Sequence, residues 1–511
     1  MNSAERLLGE AALARFGERT ALYCGNESVR YAALAERVRR AASALAGYGV
    51  GRGDRVMILM RDSPALAETW LGCLWCGAVA IALNDKLSED DYRFIRADCD
   101  ARLVIVEDRL RSMLAAFGDE LASAGKLVLV DSDAGAVPAW NAAMLASEPM
   151  GPALATRPEE AAFWLYSSGT TGRPKGMVHA HKDIDAVGEV FRAVVGLKPG
   201  DKVLATSRLF FSYGLEHALL GPLALGASAV LNPDWSDVRT VVRVIAEHQP
   251  VAVFSVPTVY RRLIALGGET LGPLRSVSFF FSAGERLPES TVSEWRRLVD
   301  REILSIYGTS ETLCVVMVTP AGTSFGTHTG LPLRGVEVRL LAADGSEVPQ
   351  GEPGVAWIKH PSLTTGYVNR AELSEEQFRD GWFCSKDVFV RDAEGYYRHQ
   401  GRADDLIKVA GQWVRPDELE EAVLGEPAVA EAACVPFVDS EGFERLALFV
   451  VARSSAEGAV ESARAVCEAR LPKHKRPKWI RAVDELPRTL TGKVQRFKLR
   501  ALLERELGAE S

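Results

Sequence analysis

Residues 161–176 read AAFWLYSSGTTGRPKG, an apolar run from Ala161 to Leu165 that passes straight into the loop Tyr166 to Gly176. Three glycines and four Ser/Thr hydroxyls stand in those eleven residues. Such a loop can wrap phosphate oxygens with backbone N–H groups and side-chain hydroxyls. Ser167, Ser168, Gly169, Thr170, Thr171 and Gly172 are the candidate phosphate contacts, and Lys175 adds a positive charge. This is not a Walker sequence, which needs Gly-Lys-Ser/Thr at a helix start and has no match in the chain. A plain surface turn does not account for this composition directly after a strand.

On either side of the loop the chain alternates helical and strand-like stretches in the α/β manner. Tyr31 to Leu45 has helical periodicity, Arg55 to Met60 is a short apolar strand, Ala65 to Cys76 is helical, and Ala101 to Val106 is a buried strand. Further apolar runs lie at Lys202 to Ala205, Ala227 to Leu231, Ala252 to Val256 and Val277 to Phe281. The expectation is layered sheets with helices between them. Val336 to Leu341 and Gly354 to Lys359 read as strands of a smaller β-rich piece. After Gly401-Arg402-Ala403-Asp404-Asp405 come about a hundred residues with their own strand–helix pattern. We place a boundary there, giving a large domain over 1–403 and a small α+β domain over 404–511.

Composition sets the outer limits. At 511 residues, with 47% hydrophobic and 25% charged side chains, the chain has the balance of a globular protein, and disorder or coiled coil is excluded. Sixty basic against 68 acidic side chains leave a net charge of −8, which offers nucleic acid no electrostatic attraction. The longest apolar run, Trp70 to Leu83, is 14 residues and falls short of the roughly 20 that a membrane span needs. The first residues lack the apolar core of a signal peptide, and eight cysteines are too sparse for a disulfide scaffold, so the expected location is the cytoplasm. Cys73 and Cys76 form a CxxC, but ETWLGCLWCGAVA reads as a buried helix rather than a redox or metal site. From Leu471 onward eleven Lys/Arg stand against five Asp/Glu, a basic segment suited to a small phosphorylated ligand or to plain solvation.

Four further motifs follow the glycine loop in order: YGTSE at Tyr307 to Glu311, GWFCSKD ending at Asp387, GRADDLIKVAG at Gly401 to Gly411, and PRTLTGKVQR at Pro487 to Arg496. Together with the loop they resemble the AMP-forming adenylating enzymes, which include acyl- and aryl-CoA ligases, luciferases and the adenylation domains of peptide synthetases. The resemblance covers essentially the whole chain. RLFFSYGLEHALLGPLALGASAVL (208–231) and IKHPSLTTGY (358–367) are most similar to benzoate-CoA ligases and their relatives.

That resemblance implies a large adenylation core and a small mobile C-terminal domain. It also implies ATP and Mg²⁺, a small carboxylic acid substrate, and CoA as acceptor. An aromatic or aryl-alkenyl acid and ATP would give an acyl-adenylate and pyrophosphate. Two anions must approach each other, so cations and hydrogen-bond donors are needed at the developing charge. By the same resemblance Lys493 reaches the substrate carboxylate and α-phosphate, and Glu311 is the Mg²⁺-side carboxylate. Ser310 keeps a hydroxyl for the α-phosphate, Tyr307 stacks on adenine, and Asp387 accepts the ribose hydroxyls with Arg402 assisting. Asp404 is the hinge, and Gly411 lines the pantetheine tunnel, where a side chain would block the thiol. Phe211, Ser212 and Tyr213 form an aromatic wall of the acid pocket, Ala283 and Gly284 its small floor, and Cys314 its far end.

Two positions depart from the family pattern. Ser385-Lys386-Asp387 replaces the usual Thr-Gly-Asp, and Cys314 stands where benzoate ligases have histidine. Cysteine is smaller and a weak donor, so the sequence predicts a larger and less polar pocket end that suits a substituted ring or a longer aryl-alkenyl acid; the alternative is that Cys314 is a core residue of the strand CVVMV. Gly322 to Gly326 (GTSFG) matches the serine-hydrolase elbow, but that motif needs a strand before and a helix after, and Pro320 precedes it. A binding-only member would need to have lost Lys493 or Glu311, and both are present. The remaining alternative is an adenylating enzyme that hands its acyl group to a carrier protein or an amine instead of CoA.

Overall fold

Short apolar runs become parallel strands because a strand covered on both faces needs no polar alternation. Lys202–Ala205 is a strand over the very residues the sequence marks, and Ser228–Leu231, Ala252–Ser255 and Phe279–Ser282 differ from expectation by one or two residues at an end. The expected helices appear as Tyr31–Gly47 and Pro64–Trp75. The computed structural model describes residues 1–511 apart from 132–138, 169–172, 235–236, 324–327, 404–406, 410–411, 440–441, 489–493 and 510–511; the side chains of 168, 407–409, 412–413, 417 and 506–509 are also left undescribed.

Among the described residues, two large sheets organise the first compact unit, Met1–Val338 with Trp357–Ser385 and Glu394–Arg398. One sheet has nine strands, ordered from Leu331–Pro332 through Met317–Val318, Ile303–Tyr307, Phe279–Ser282, Ala252–Ser255, Lys202–Ala205, Ser228–Leu231 and Thr20–Cys24 to Glu27–Arg30. The other has six, from Leu127–Leu129 through Leu103–Val106, Arg55–Leu59, Val79–Ala82 and Ala161–Ser168 to Pro174–Ala180. Its last two strands pair antiparallel and carry the glycine loop between them.

Helix Pro64–Trp75 is capped by the Ser63 hydroxyl, which accepts from the Leu66 N–H, and is buried along almost its whole length. A Cβ at Gly72 would lie 2.7 Å from Ala41 Cβ, so only glycine lets this helix approach Tyr31–Gly47 so closely. Cys73 and Cys76 sit in that core as free thiols, and burial pushes Cys73 well up and Cys76 up to about 11. The CxxC is packing.

The second unit comprises Arg339–Ala356, Lys386–Ala393 and His399–Ser511. Strands Val429–Val438 and Glu444–Ala452 pair antiparallel, and Trp479–Ala482 joins in parallel. Helices Pro416–Leu424 and Ala456–Arg470 cover one core of this sheet, which includes Leu419, Cys434, Leu448 and Ala463. Several of the tail's basic residues have acidic partners within the unit: Lys475 with Glu418 at 2.7 Å, Lys478 with Asp439 at 3.1 Å, Arg488 with Glu431 at 2.6 Å and Arg496 with Glu420 at 2.5 Å. Those cations hold the unit together, which weakens the reading of the basic segment as a phosphate surface. The architecture is α/β, with a large N-terminal part of layered sheets and a smaller C-terminal unit. Among the described residues no helix is long and apolar enough to cross a membrane.

Candidate active site

The strand Pro174–Ala180 fixes the cation of the glycine loop. Ser167 is registered against Lys175 and Tyr166 against Gly176. A Cβ at Gly176 would meet the Tyr166 ring at 2.9 Å, so the motif glycine is required by the aromatic lying across it. The ring is held by its hydroxyl, which donates to Asp98 Oδ2 at 2.9 Å. Lys175 is thus a strand residue, and its ammonium reaches across to Glu311 Oε1 at 2.9 Å.

Glu311 is 7% exposed and follows the strand Ile303–Tyr307. Tyr367 donates to the same Oε1 at 2.8 Å, lies 3.0 Å from the Lys175 ammonium and has Gln377 Oε1 at 2.7 Å. Lys175 also stands 4.3 Å from the centre of the Tyr367 ring. Burial alone would push the Glu311 carboxyl up, but the Lys175 charge and the bonds from Lys175 and Tyr367 outweigh it, and the group is held below its ordinary range. Glu311 is therefore an anion at neutral pH.

The next residue back is held from its backbone. The Ser310 carbonyl accepts from His179 Nε2 at 2.9 Å, and the other ring nitrogen of His179 faces Asp183 Oδ2 at 3.0 Å. Ser310 Oγ lies 3.4 Å from Ser212 Oγ. This brings Ser310 to the rim of a cavity of about 50 Å³ whose wall includes Ser212, Tyr213, Ala283, Ile306 and Cys314. Four pocket residues expected from the sequence meet there: Ser212, Tyr213, Ala283 and Cys314. Phe211 lies instead against Phe210 at 4.5 Å between ring centres, and Gly284 takes a turn conformation at φ +86°; neither lines this cavity.

The cavity departs from the sequence expectation in its polarity. Glu216 and His217, 1% and 0% exposed, line it beside Cys314. Glu216 receives bonds from Cys314 and from the backbone N–H groups of Val315 and Gly188, yet burial dominates and pushes its carboxyl up to about 8. His217 is pushed down to about 3 by burial. Both are neutral at pH 7. Cysteine for histidine predicts a less polar end; the protein supplies two other polar side chains there.

In the second unit Asp387 is 7% exposed. Its Oδ1 lies 3.2 Å from His399 Nε2 and 3.8 Å from Arg402 Nη1, so a histidine that the motif reading does not name is the nearer partner. Lys386 adopts φ +58°, the left-handed region that favours glycine, and its carbonyl accepts from the Ala403 N–H at 2.7 Å. Lysine for the motif glycine is therefore a backbone matter first. Arg496 ends its motif on Glu420, which also receives the Cys434 N–H at 2.8 Å. Gly169, Thr170, Thr171, Gly172, Ser324, Asp404, Gly411, Lys493 and the side chain of Ser168 lie outside the described residues.

Residues 9–368 match the AMP-binding enzyme family, and residues 418–493 match the AMP-binding enzyme C-terminal domain. The chain belongs to the AMP-binding enzyme family. This is the AMP-forming adenylating superfamily that the five motifs resemble, and within it the chain is similar to benzoate-CoA ligases. It is 36% identical to the 3-hydroxybenzoate–CoA ligase of Aromatoleum sp. (strain CIB), over 99% of this chain and 97% of that one. It is 37% identical to the benzoate–CoA ligase of Thauera aromatica, over 98% and 96%. Among solved structures, the anthranilate CoA ligase AuaEII in complex with anthranoyl-AMP superposes with a TM-score of 0.91 at 29% identity, covering 99% of this chain and 98% of that one.

The residues of this AMP-binding enzyme fit a magnesium–nucleotide ligand in one respect that the structure itself supplies. Both side-chain bonds to Glu311 use Oε1, and the carboxyl is ionised. A single carboxylate plus phosphate oxygens and water is what Mg²⁺ accepts. Motif reading misses Tyr367, Gln377, His179, Asp183, Glu216 and His217. The only trace of the last two in the sequence is a charged pair inside the apolar stretch Gly214 to Leu225.

Proposed function

We propose that this chain is an aryl-CoA ligase: it activates an aromatic carboxylic acid with ATP and transfers the acyl group to CoA. In the first half-reaction a carboxylate oxygen attacks the α-phosphorus, the bond from that phosphorus to its bridging oxygen breaks, and pyrophosphate leaves. In the second the thiol sulfur attacks the acyl carbon, AMP leaves, and the thiol proton passes to solvent.

The observation that carries this reading is the buried Lys175–Glu311–Tyr367 cluster, whose lysine stands on the glycine-loop hairpin, in the same compact unit as a cavity lined by Tyr213 and Ala283. Glu311 would hold Mg²⁺, which supplies charge neutralisation between the phosphates. Lys175 and Tyr367 hold Glu311 ionised and fix its orientation. His179 and Asp183 set the Ser310 loop, whose hydroxyl points to the α-phosphate role. Ser167 to Gly172 cradle the phosphates, Tyr307 stacks on adenine, and Asp387, steadied by His399 and Arg402, takes the ribose.

Lys493 delivers the positive charge of the first half-reaction from the C-terminal domain, 404–511. Rotation about Asp404 then withdraws it and aligns Gly411 with the pantetheine. The enzyme works in the cytoplasm. A screen of pyrophosphate release over carboxylic acids, repeated with and without CoA, tests the whole reading. Benzoate-type acids should support release and yield thioester only with CoA. Release with no thioester would point to a carrier protein or amine acceptor, and no release with any aromatic acid would overturn the proposal.

A further inference from the structure

The cavity wall holds an unusual pair, Glu216 and His217. His217 Nδ1 lies 2.8 Å from the carbonyl of Tyr213; a carbonyl only accepts, so Nδ1 carries the proton. In the neutral ring Nε2 is then a bare acceptor. It is buried and has no hydrogen-bond partner among the described residues. The ring cannot easily turn, because it is packed 4.0 Å from Phe254, 4.8 Å from Tyr213 and 5.7 Å from Phe191 between ring centres. Glu216 Oε2 stands 3.7 Å from Nε2, beyond hydrogen-bond length. Leaving such an acceptor unpaired in a core is costly, and native interiors rarely do so without a functional cause.

We propose that His217 and Glu216 form a recognition site for a hydroxyl group on the aromatic ring of the acid, with the hydroxyl donating to His217 Nε2 and accepting from the Glu216 carboxyl. The inference rests on the aryl-ligase reading and narrows it to hydroxy-substituted benzoates. A hydroxyl suits the pair because it donates and accepts at once. Burial keeps the Glu216 carboxyl protonated, and that proton is the donor beside the His217 acceptor. An aromatic amine donates well but accepts poorly, since its lone pair is delocalised into the ring. A methyl or halogen would leave both groups unpaired. Cys314, bonded to Glu216, positions that carboxyl and lines the same cavity.

The test is a series of benzoates bearing hydroxyl, amino, methoxy, methyl, fluoro or no substituent at each ring position, read as kcat/KM for pyrophosphate release by the full-length enzyme. At one position the hydroxyl should exceed methyl and methoxy by on the order of 10²-fold, because those analogues leave a buried polar group unpaired. His217→Phe should reduce that ratio to near one, and His217→Gln, which retains an acceptor, should restore part of it. Equal use of hydroxyl and methyl acids at every position by the unaltered enzyme overturns the recognition site while leaving the ligase reading intact. Failure of every aromatic acid overturns the ligase reading itself. Should neither variant fold, the ratio in the unaltered enzyme decides alone.

Discussion

Glu311 and Glu216 are both carboxyls in the core of the same unit, 7% and 1% exposed, and burial drives their acidities in the same direction. They end in opposite states. Glu311 faces an ammonium at 2.9 Å and a phenol at 2.8 Å, and stays ionised. Glu216 has a thiol, two backbone N–H groups and a neutral imidazole, and keeps its proton up to about 8. A full positive charge, not the number of hydrogen bonds, separates the two. One end of the site is thus prepared for phosphate and metal charge, the other for a neutral ring and its substituent.

The largest effect expected from this division concerns the residue that the motifs assign to the charged end. Lys493→Ala should slow adenylate formation by roughly 10²- to 10³-fold, the usual cost of losing a donor aimed at transition-state charge. Thioester formation from supplied acyl-adenylate should be nearly intact. Unchanged ATP–pyrophosphate exchange would remove this lysine from the charged end. Glu311→Gln should come next, with a loss of about 10²-fold in the same exchange, since the amide keeps the shape and gives up the charge. Near-normal exchange would mean that the ionised state of Glu311 has no part in the chemistry.

The neutral end has its own signature, in stability. Glu216 binds its proton more tightly when folded, about 8 against the ordinary 4.5, so the folded state holds more protons between those values. Stability therefore falls as pH rises through that window, by up to about 1.4 kcal/mol per pH unit from this group. Glu311 has the opposite sign: its contribution is present above 4.5 and is lost as pH falls below it. Glu216→Gln should abolish the first slope, so that the variant's urea midpoint gains on the parent between pH 5.5 and 7.5. Parallel midpoints would show that Glu216 is ionised in the fold. The smallest effect belongs to Lys386→Gly, which relieves a left-handed lysine but loosens the unfolded chain, for a net change within about 1 kcal/mol. A larger shift in thermal unfolding would mean that the Lys386 side chain itself holds the second unit.

Strands such as Lys202–Ala205 are legible in the sequence because burial on both faces writes itself as an unbroken apolar run. Lys175, Glu311, Ser310 and Asp387 are picked out in the sequence because their motifs keep fixed local spacing, and the structure places Lys175 on Glu311. Tyr367 and Gln377 lie 56 and 66 residues beyond Glu311 in the chain, and only the fold brings the first to its carboxyl and the second to the Tyr367 hydroxyl. His217 is harder still. In sequence it is one histidine in an apolar helix, and its meaning lies in an absent partner, which no spacing can express. The mistaken polarity of the Cys314 end has the same origin: the identity of one wall residue predicts its own contribution and not its neighbours'.

The register that sets Ser167 against Lys175 has an evolutionary consequence. The ladder from Trp164↔Val178 to Ser168↔Pro174 fixes the position of the cation through backbone pairing. A slip of that register by one residue would turn Lys175 to the other face of the sheet and take its ammonium away from Glu311. Descendants of this chain can therefore change these two strands only in ways that keep the register, or lose the lysine that keeps Glu311 charged.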